Sequence, residues 1–124
     1  MRRLKILYAE DNNAVAEMIK ETLREESWEI EICAEGDTAM KKIASNARYD
    51  LLLLDYELPG VNGVQLVQQA RSLAHRQQTP IIILSATLDE KTAQLAGADA
   101  FLRKAGRHYG GEQNGCSITG PSTR

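Results

Sequence analysis

The chain has 124 residues, 43% hydrophobic and 26% charged, with 15 basic against 17 acidic side chains and a formal net charge of -2. One domain of this length buries about two thirds of the surface its unfolded chain exposes, so it folds without a disulfide or structural metal, and any metal it holds is functional. Charges of both signs are interspersed, which argues against a nucleic-acid footprint or a polybasic membrane face; no stretch approaches transmembrane length, and the apolar run Ile6 to Ala9 is too short for a signal peptide and meets Glu10-Asp11.

Leu4 to Ala9 reads as a short apolar strand, with Glu10-Asp11 where it should end. Asn12 or Asn13 then caps a helix whose positions Val15, Met18, Ile19, Thr22 and Leu23 recur at helical spacing. Trp28 to Ala34 alternates in the manner of a half-exposed edge strand. Cys33 on that strand and Cys116 in the tail form no metal or redox spacing and read as unpaired thiols in a reducing cytoplasm. Gly36-Asp37 opens a second helix, with Asp37 as its expected cap and Ala39, Met40, Ile43 and Ala44 as its buried stripe.

Leu51 to Leu54 is an unbroken apolar run, the pattern of a strand covered on both faces, and it ends in Asp55. The turn signals Pro59, Gly60 and Gly63 follow, then a helix over Val64 to Ala74 whose apolar face is Leu66, Val67, Ala70, Leu73 and Ala74. Thr79-Pro80 interrupts it and starts Ile81 to Leu84, a second doubly buried strand closed by Ser85-Ala86-Thr87. Asp89 to Ala96 is a short helix ended by Gly97, and Ala100 to Leu102 is a last strand running into Lys104.

Strands and helices alternating through short connections predict an α/β fold, a doubly wound parallel sheet of five strands. In such a sheet the ends of the first, third, fourth and fifth strands open on one edge, which gathers Glu10, Asp11, Asp55, Ser85 and Lys104. Carboxylates crowded at one crevice repel unless protonated or neutralised by a cation, and Mg²⁺ takes one or two of them while keeping room for water and phosphate oxygens. Lys104 adds a fixed positive charge and Ser85 a hydroxyl donor, a set matched to a phosphoryl group on an aspartate. Taken singly, Asp55 is a turn former, Asp11 a helix cap, Ser85 a strand-end hydroxyl, Phe101 a core residue and Lys104 a solvated lysine. Their joint spacing carries the reading.

That spacing resembles the receiver domain of bacterial two-component response regulators, over Leu4 to Lys104: the acidic pair Glu10-Asp11, Asp55 at a strand end before Pro59-Gly60 and Gly63, Ser85 beside small Ala86, and Phe101 shortly before Lys104. The resemblance implies a flavodoxin-like sheet of strand order 2-1-3-4-5. It implies Mg²⁺ held by Glu10, Asp11, Asp55 and the backbone carbonyl of Glu57. Asp55 would accept a phosphoryl group from a sensor histidine kinase or phosphotransfer protein, Lys104 would pair with its oxygens, and Ser85 and Phe101 would act as switch residues coupled to a partner-binding surface. Glu57 and Thr87 occupy positions that in the family border the phosphoryl site and tune how fast the aspartyl phosphate is made and hydrolysed. The implied protein is a cytoplasmic signalling module rather than an enzyme, with no direct nucleic-acid or membrane contact. The alternatives are a pseudo-receiver that binds partners without phosphate and an aspartate-nucleophile phosphatase, with Glu57 at the offset of its general acid.

The sequence departs from the pattern at its end. Ser85 to Lys104 is shorter than is usual in the family, by about one helical turn. Lys104 is followed by Ala105-Gly106 rather than proline, and Gly110, Gly111, Gly115 and Gly120 leave no helical periodicity, so residues 1–104 are expected to form the receiver and 105–124 an atypical Gly-rich tail in place of a fifth helix. The first-helix face of the sheet should then lack cover, and self-association or draping of the tail over that strip is expected.

Overall fold

The computed structural model describes residues 3–24 and 27–104, and the backbone of 118–121. The elements are β1 (Lys5–Ala9), α1 (Asn13–Leu23), β2 (Glu29–Cys33), α2 (Gly36–Ala44), β3 (Leu51–Asp55), α3 (Gly63–Ser72), a 3-10 turn (Ala74–Arg76), β4 (Ile81–Ser85), α4 (Glu90–Ala96), β5 (Ala100–Lys104) and β6 (Ile118–Pro121). They build one sheet in the order β2-β1-β3-β4-β5-β6. The first five strands are parallel in the expected 2-1-3-4-5 order, and β6 adds antiparallel to β5, with Leu102 opposite Pro121 and Lys104 opposite Ile118. That sixth strand was not expected: glycines dominate the tail, yet Ile118 and Thr119 are β-branched and the outer edge of β5 offers ladder groups to pair with. Residues 105–117 and 122–124, with Cys116 and the expectation of a draped tail, lie outside the described residues.

Side chains alternate across each strand, which divides the core in two. Leu7, Leu52, Leu54, Ile81, Ile83 and Phe101 face α2, α3 and α4, where they meet Ala39, Ile43, Leu66, Val67, Ala70 and Ala93. Ile6, Tyr8, Leu53 and Leu84 face the other way and meet only Ala16 and Ile19 of α1 among the buried residues. Among the described residues, three helices thus cover one face and one helix the other. Beside α1 lies a groove of about 530 Å³ whose floor is Leu51, Leu53, Ile82, Leu84 and Leu102. Met18, one of the positions recurring at helical spacing in α1, lines this groove and is 38% exposed, while Ala16 takes a core position.

Local chemistry explains where the elements begin and end. Asn12 caps α1, its Oδ1 accepting the Val15 N–H at 3.0 Å. α2 departs from expectation: Glu35 is the cap residue without a side-chain bond, Asp37 sits in the first turn, and Ala44 is exposed. Gly36 takes the first helical position, where the loop between β3 and α3 packs so closely that a Cβ would lie 1.9 Å from the Val61 carbonyl oxygen. α3 opens with a reciprocal Asn62–Gln65 capping box but stops at Ser72, short of the expected Ala74. What stops it is Arg76. Its buried guanidinium donates to the carbonyls of Ile43, Ser45 and Ala47 at 2.8, 3.0 and 2.8 Å and stacks over Tyr49 at 5.0 Å, closing the C-terminal end of α2.

Candidate functional site

The chain leaves β1 for β2 on one side and returns to β3 on the other, so the carboxyl ends of β1 and β3 flank the switch in strand order where α/β sheets bind ligands. Pairing continues one step past each strand: Glu10 N donates to Cys33 O and Tyr56 N to Leu84 O, both at 2.8 Å, which fixes Glu10 and Asp55 at the rim. The apolar run that forms β3 buries its terminal carboxylate along with itself, leaving Asp55 1% exposed. Gly63 makes the fit beneath it possible, because a Cβ there would sit 2.7 Å from the Asp55 carbonyl oxygen.

Lys104 is the hub. Its Nζ lies 3.0 Å from Glu10 Oε1 and 3.0 Å from Asp55 Oδ2, so one ammonium bridges two buried carboxylates. Glu10 also accepts from the Tyr8 hydroxyl at 3.2 Å and from Asn12 N at 3.2 Å. Tyr8 went unnoticed in the sequence, although a tyrosine two residues before Glu10 on a strand must lie on the same face. Asp11 is exposed, and one carboxylate oxygen from each of Glu10, Asp11 and Asp55 can be chosen so that all lie within 4.8 Å of one another.

Beyond Asp55 the network turns to the loop after β4. Ser85, fully buried, donates to Glu57 Oε2 at 2.6 Å, and the Thr87 hydroxyl donates to the same oxygen at 2.5 Å. The Ser85 oxygen accepts from Thr87 N at 3.0 Å and Leu88 N at 2.8 Å. Glu57 N faces Asp55 Oδ1 at 3.4 Å. Phe101 is 1% exposed beside Ile83 of β4, with the Arg103 guanidinium 4.9 Å over its ring. The structure therefore brings Glu10, Asp11, Asp55, Ser85, Glu57 and Lys104 to one rim and sets Phe101 one layer below. The bonds from Ser85 and Thr87 to Glu57 were not legible from spacing.

Burial is the main force on Asp55. It pushes the carboxyl up to about 8; Lys104 pulls it back, while Glu10 and Glu57 push it further. For Lys104, burial works against the charge, but Asp55 and Glu10 outweigh it and hold the ammonium above its ordinary value. Burial also works against ionised Glu57, and the Ser85 and Thr87 hydroxyls, the bond to Asp55 and the Lys104 charge together outweigh it, leaving it below the usual carboxylate range. Among the described residues, the carboxyl groups of Glu10, Asp11, Asp55 and Glu57 share this rim with the ammonium of Lys104. An all-oxygen donor set with that excess of negative charge, part buried and part open to solvent, fits a hard divalent cation such as Mg²⁺.

Comparison with known proteins agrees with this geometry. The family model of the response regulator receiver domain matches residues 6–108. Response regulator ArlR of Staphylococcus saprophyticus is 40% identical over 103 residues, which make up 81% of this chain and 45% of that protein. The chain thus spans about half the length of the curated relatives it matches. Among solved structures, the receiver domain of sensor histidine kinase PA1611 from Pseudomonas aeruginosa, with a magnesium ion coordinated in its active-site cleft, superposes with a TM-score of 0.75 at 28% identity, covering 86% of this chain and 88% of that one. The phosphorylated cyanobacterial phytochrome response regulator RcpA superposes with a TM-score of 0.77 at 25% identity, covering 84% and 82%.

Proposed function

The chain belongs to the receiver-domain family of two-component response regulators, and from that premise we propose that Asp55 accepts a phosphoryl group from the phosphohistidine of a sensor histidine kinase or phosphotransfer protein, with Mg²⁺ at the acidic cluster. The observation that carries this reading is the position of Asp55: a buried carboxylate at the tip of β3, bridged by Lys104 to Glu10 and backed by the Ser85–Glu57 network. An Asp55 oxygen attacks phosphorus, the P–N bond to the donor imidazole breaks, and the imidazole leaves with the electron pair. Glu10, Asp11, Asp55 and the Glu57 backbone carbonyl would hold Mg²⁺, which supplies neutralising charge between these carboxylates and the incoming phosphoryl oxygens. Lys104 pairs with one phosphoryl oxygen. Ser85 turns its proton to another, and Phe101 follows, which couples the site to the surface formed by α4 and β5.

The product is a signal rather than a turned-over substrate, and the module works in the cytoplasm, among the described residues without a helix long and apolar enough to cross a membrane. A phosphatase is not favoured: it would use Glu57 as a general acid, whereas two hydroxyls hold that carboxylate ionised. A pseudo-receiver is not favoured by the family match or by the complete rim. As part of the same proposal, a second copy of this chain covers the groove beside α1, since apolar sheet faces pack on one another and, among the described residues, α1 is the helix that lies over this one.

The test is intact mass after incubation with acetyl phosphate and Mg²⁺. Wild type should gain one phosphoryl mass that chelation of the metal abolishes and that Asp55→Ala never acquires. Equal incorporation into Asp55→Ala would refute the assignment.

A further inference from the structure

The Ser85 hydroxyl has one proton and can accept two hydrogen bonds, and all three capacities are in use. The proton goes to Glu57 Oε2, and the oxygen accepts from the N–H groups of Thr87 and Leu88. Ser85 is fully buried, so solvent does not compete for it. To donate to a phosphoryl oxygen on Asp55, Ser85 must release Glu57. Turning the oxygen away would also take the acceptor from the N–H groups of exposed Thr87 and half-buried Leu88, so the loop that carries them would move with the hydroxyl. That loop runs into Asp89, whose side chain caps α4 through Thr92 N at 3.1 Å.

We propose that the Glu57 side chain is an off-state latch: a positioning residue that holds the Ser85 and Thr87 protons away from Asp55 and pins the loop ahead of α4 until a phosphoryl group arrives. The inference rests on Asp55 as phosphoacceptor and goes beyond it, because it assigns the resting state to a carboxylate–hydroxyl contact rather than to the mere absence of phosphate. Release follows from charge. A phosphoryl group on Asp55 places a dianion near the Glu57 carboxylate, which repels it, and offers Ser85 a stronger acceptor. Thr87 acts through the same oxygen, since its hydroxyl and that of Ser85 converge on Glu57 Oε2. The device sets how much of the protein occupies the signalling state before any phosphate is present.

Beryllofluoride, which mimics a phosphoryl group on a carboxylate, serves as the probe at saturating Mg²⁺, with backbone amide NMR of Thr87 and Leu88 as the reporter. In Glu57→Ala without beryllofluoride, both resonances should lie part of the way from the free toward the beryllofluoride-bound wild-type positions. Beryllofluoride affinity should rise about tenfold, the weight of one charge-assisted hydrogen bond no longer broken on binding. Glu57→Gln, which keeps an acceptor oxygen, should fall between Glu57→Ala and wild type on both measures. Resonances of Glu57→Ala left at the free wild-type positions, or an equal gain of affinity in Glu57→Ala and Glu57→Gln as expected of charge removal alone, would overturn the latch while leaving the phosphoacceptor reading intact. Wild type that binds no beryllofluoride would overturn both.

Discussion

Asp55 is held between opposing forces, and its protonation links the site to stability. Burial sets its carboxyl at about 8 in the folded chain against an ordinary 3.8. Between those values the folded state binds more protons than the unfolded one, so the contribution is fully present below 3.8 and is lost as pH rises through about 8. In metal-free buffer, Asp55→Asn should therefore gain stability relative to wild type as pH rises, by about 1–3 kcal/mol between about pH 5 and pH 9 in urea melts. A difference between the two proteins that stays constant with pH would contradict this. Added Mg²⁺ should narrow the gap, since a cation stabilises the ionised wild-type site. The identities of Glu10, Asp11, Asp55, Ser85 and Lys104 were legible because strand ends in a parallel sheet converge on one edge. The Glu57 contacts were not, because rotamers of a loop side chain leave no periodicity in sequence.

At the scale of elements, hydrophobic patterning predicted strands and helices well, and the misses trace to long-range contacts. α2 opens where Val61 approaches Gly36, and the end of α3 is set by Arg76, neither of which local propensity contains. Arg76 ties the chain after α3 to the last carbonyls of α2 across 29 to 33 positions of sequence through its bonds to Ala47 and Ile43. Arg76→Met keeps apolar bulk but leaves buried carbonyls without donors, so we expect a loss of about 2–4 kcal/mol in chemical denaturation. Phosphoryl uptake at Asp55 should survive under conditions where the variant is folded, because Arg76 belongs to the opposite ends of these helices. A change below about 0.5 kcal/mol would show that water replaces the guanidinium at no cost.

For the whole molecule, the parallel α/β class was readable from the alternation of elements, and the strand order 2-1-3-4-5 followed from the resemblance to receiver domains rather than from any pattern in the strands themselves. The antiparallel β6 was not readable, since a short strand against an edge depends on where the chain returns rather than on its own pattern. The groove over Leu53, Ile82 and Leu102 leaves apolar surface beside α1. In sedimentation velocity, the wild-type weight-average coefficient should rise with concentration, and Met18→Glu, which places a charge at the groove wall, should abolish that rise. A concentration-independent monomer in wild type would contradict self-association without touching the phosphoacceptor assignment. That assignment is tested most directly by reducing the acetyl-phosphate-treated protein with borohydride and locating the modified residue by peptide sequencing. The account predicts conversion of Asp55 to homoserine within the peptide that contains Leu51 to Leu58, and conversion at any other carboxylate in place of Asp55, or at none, would contradict it.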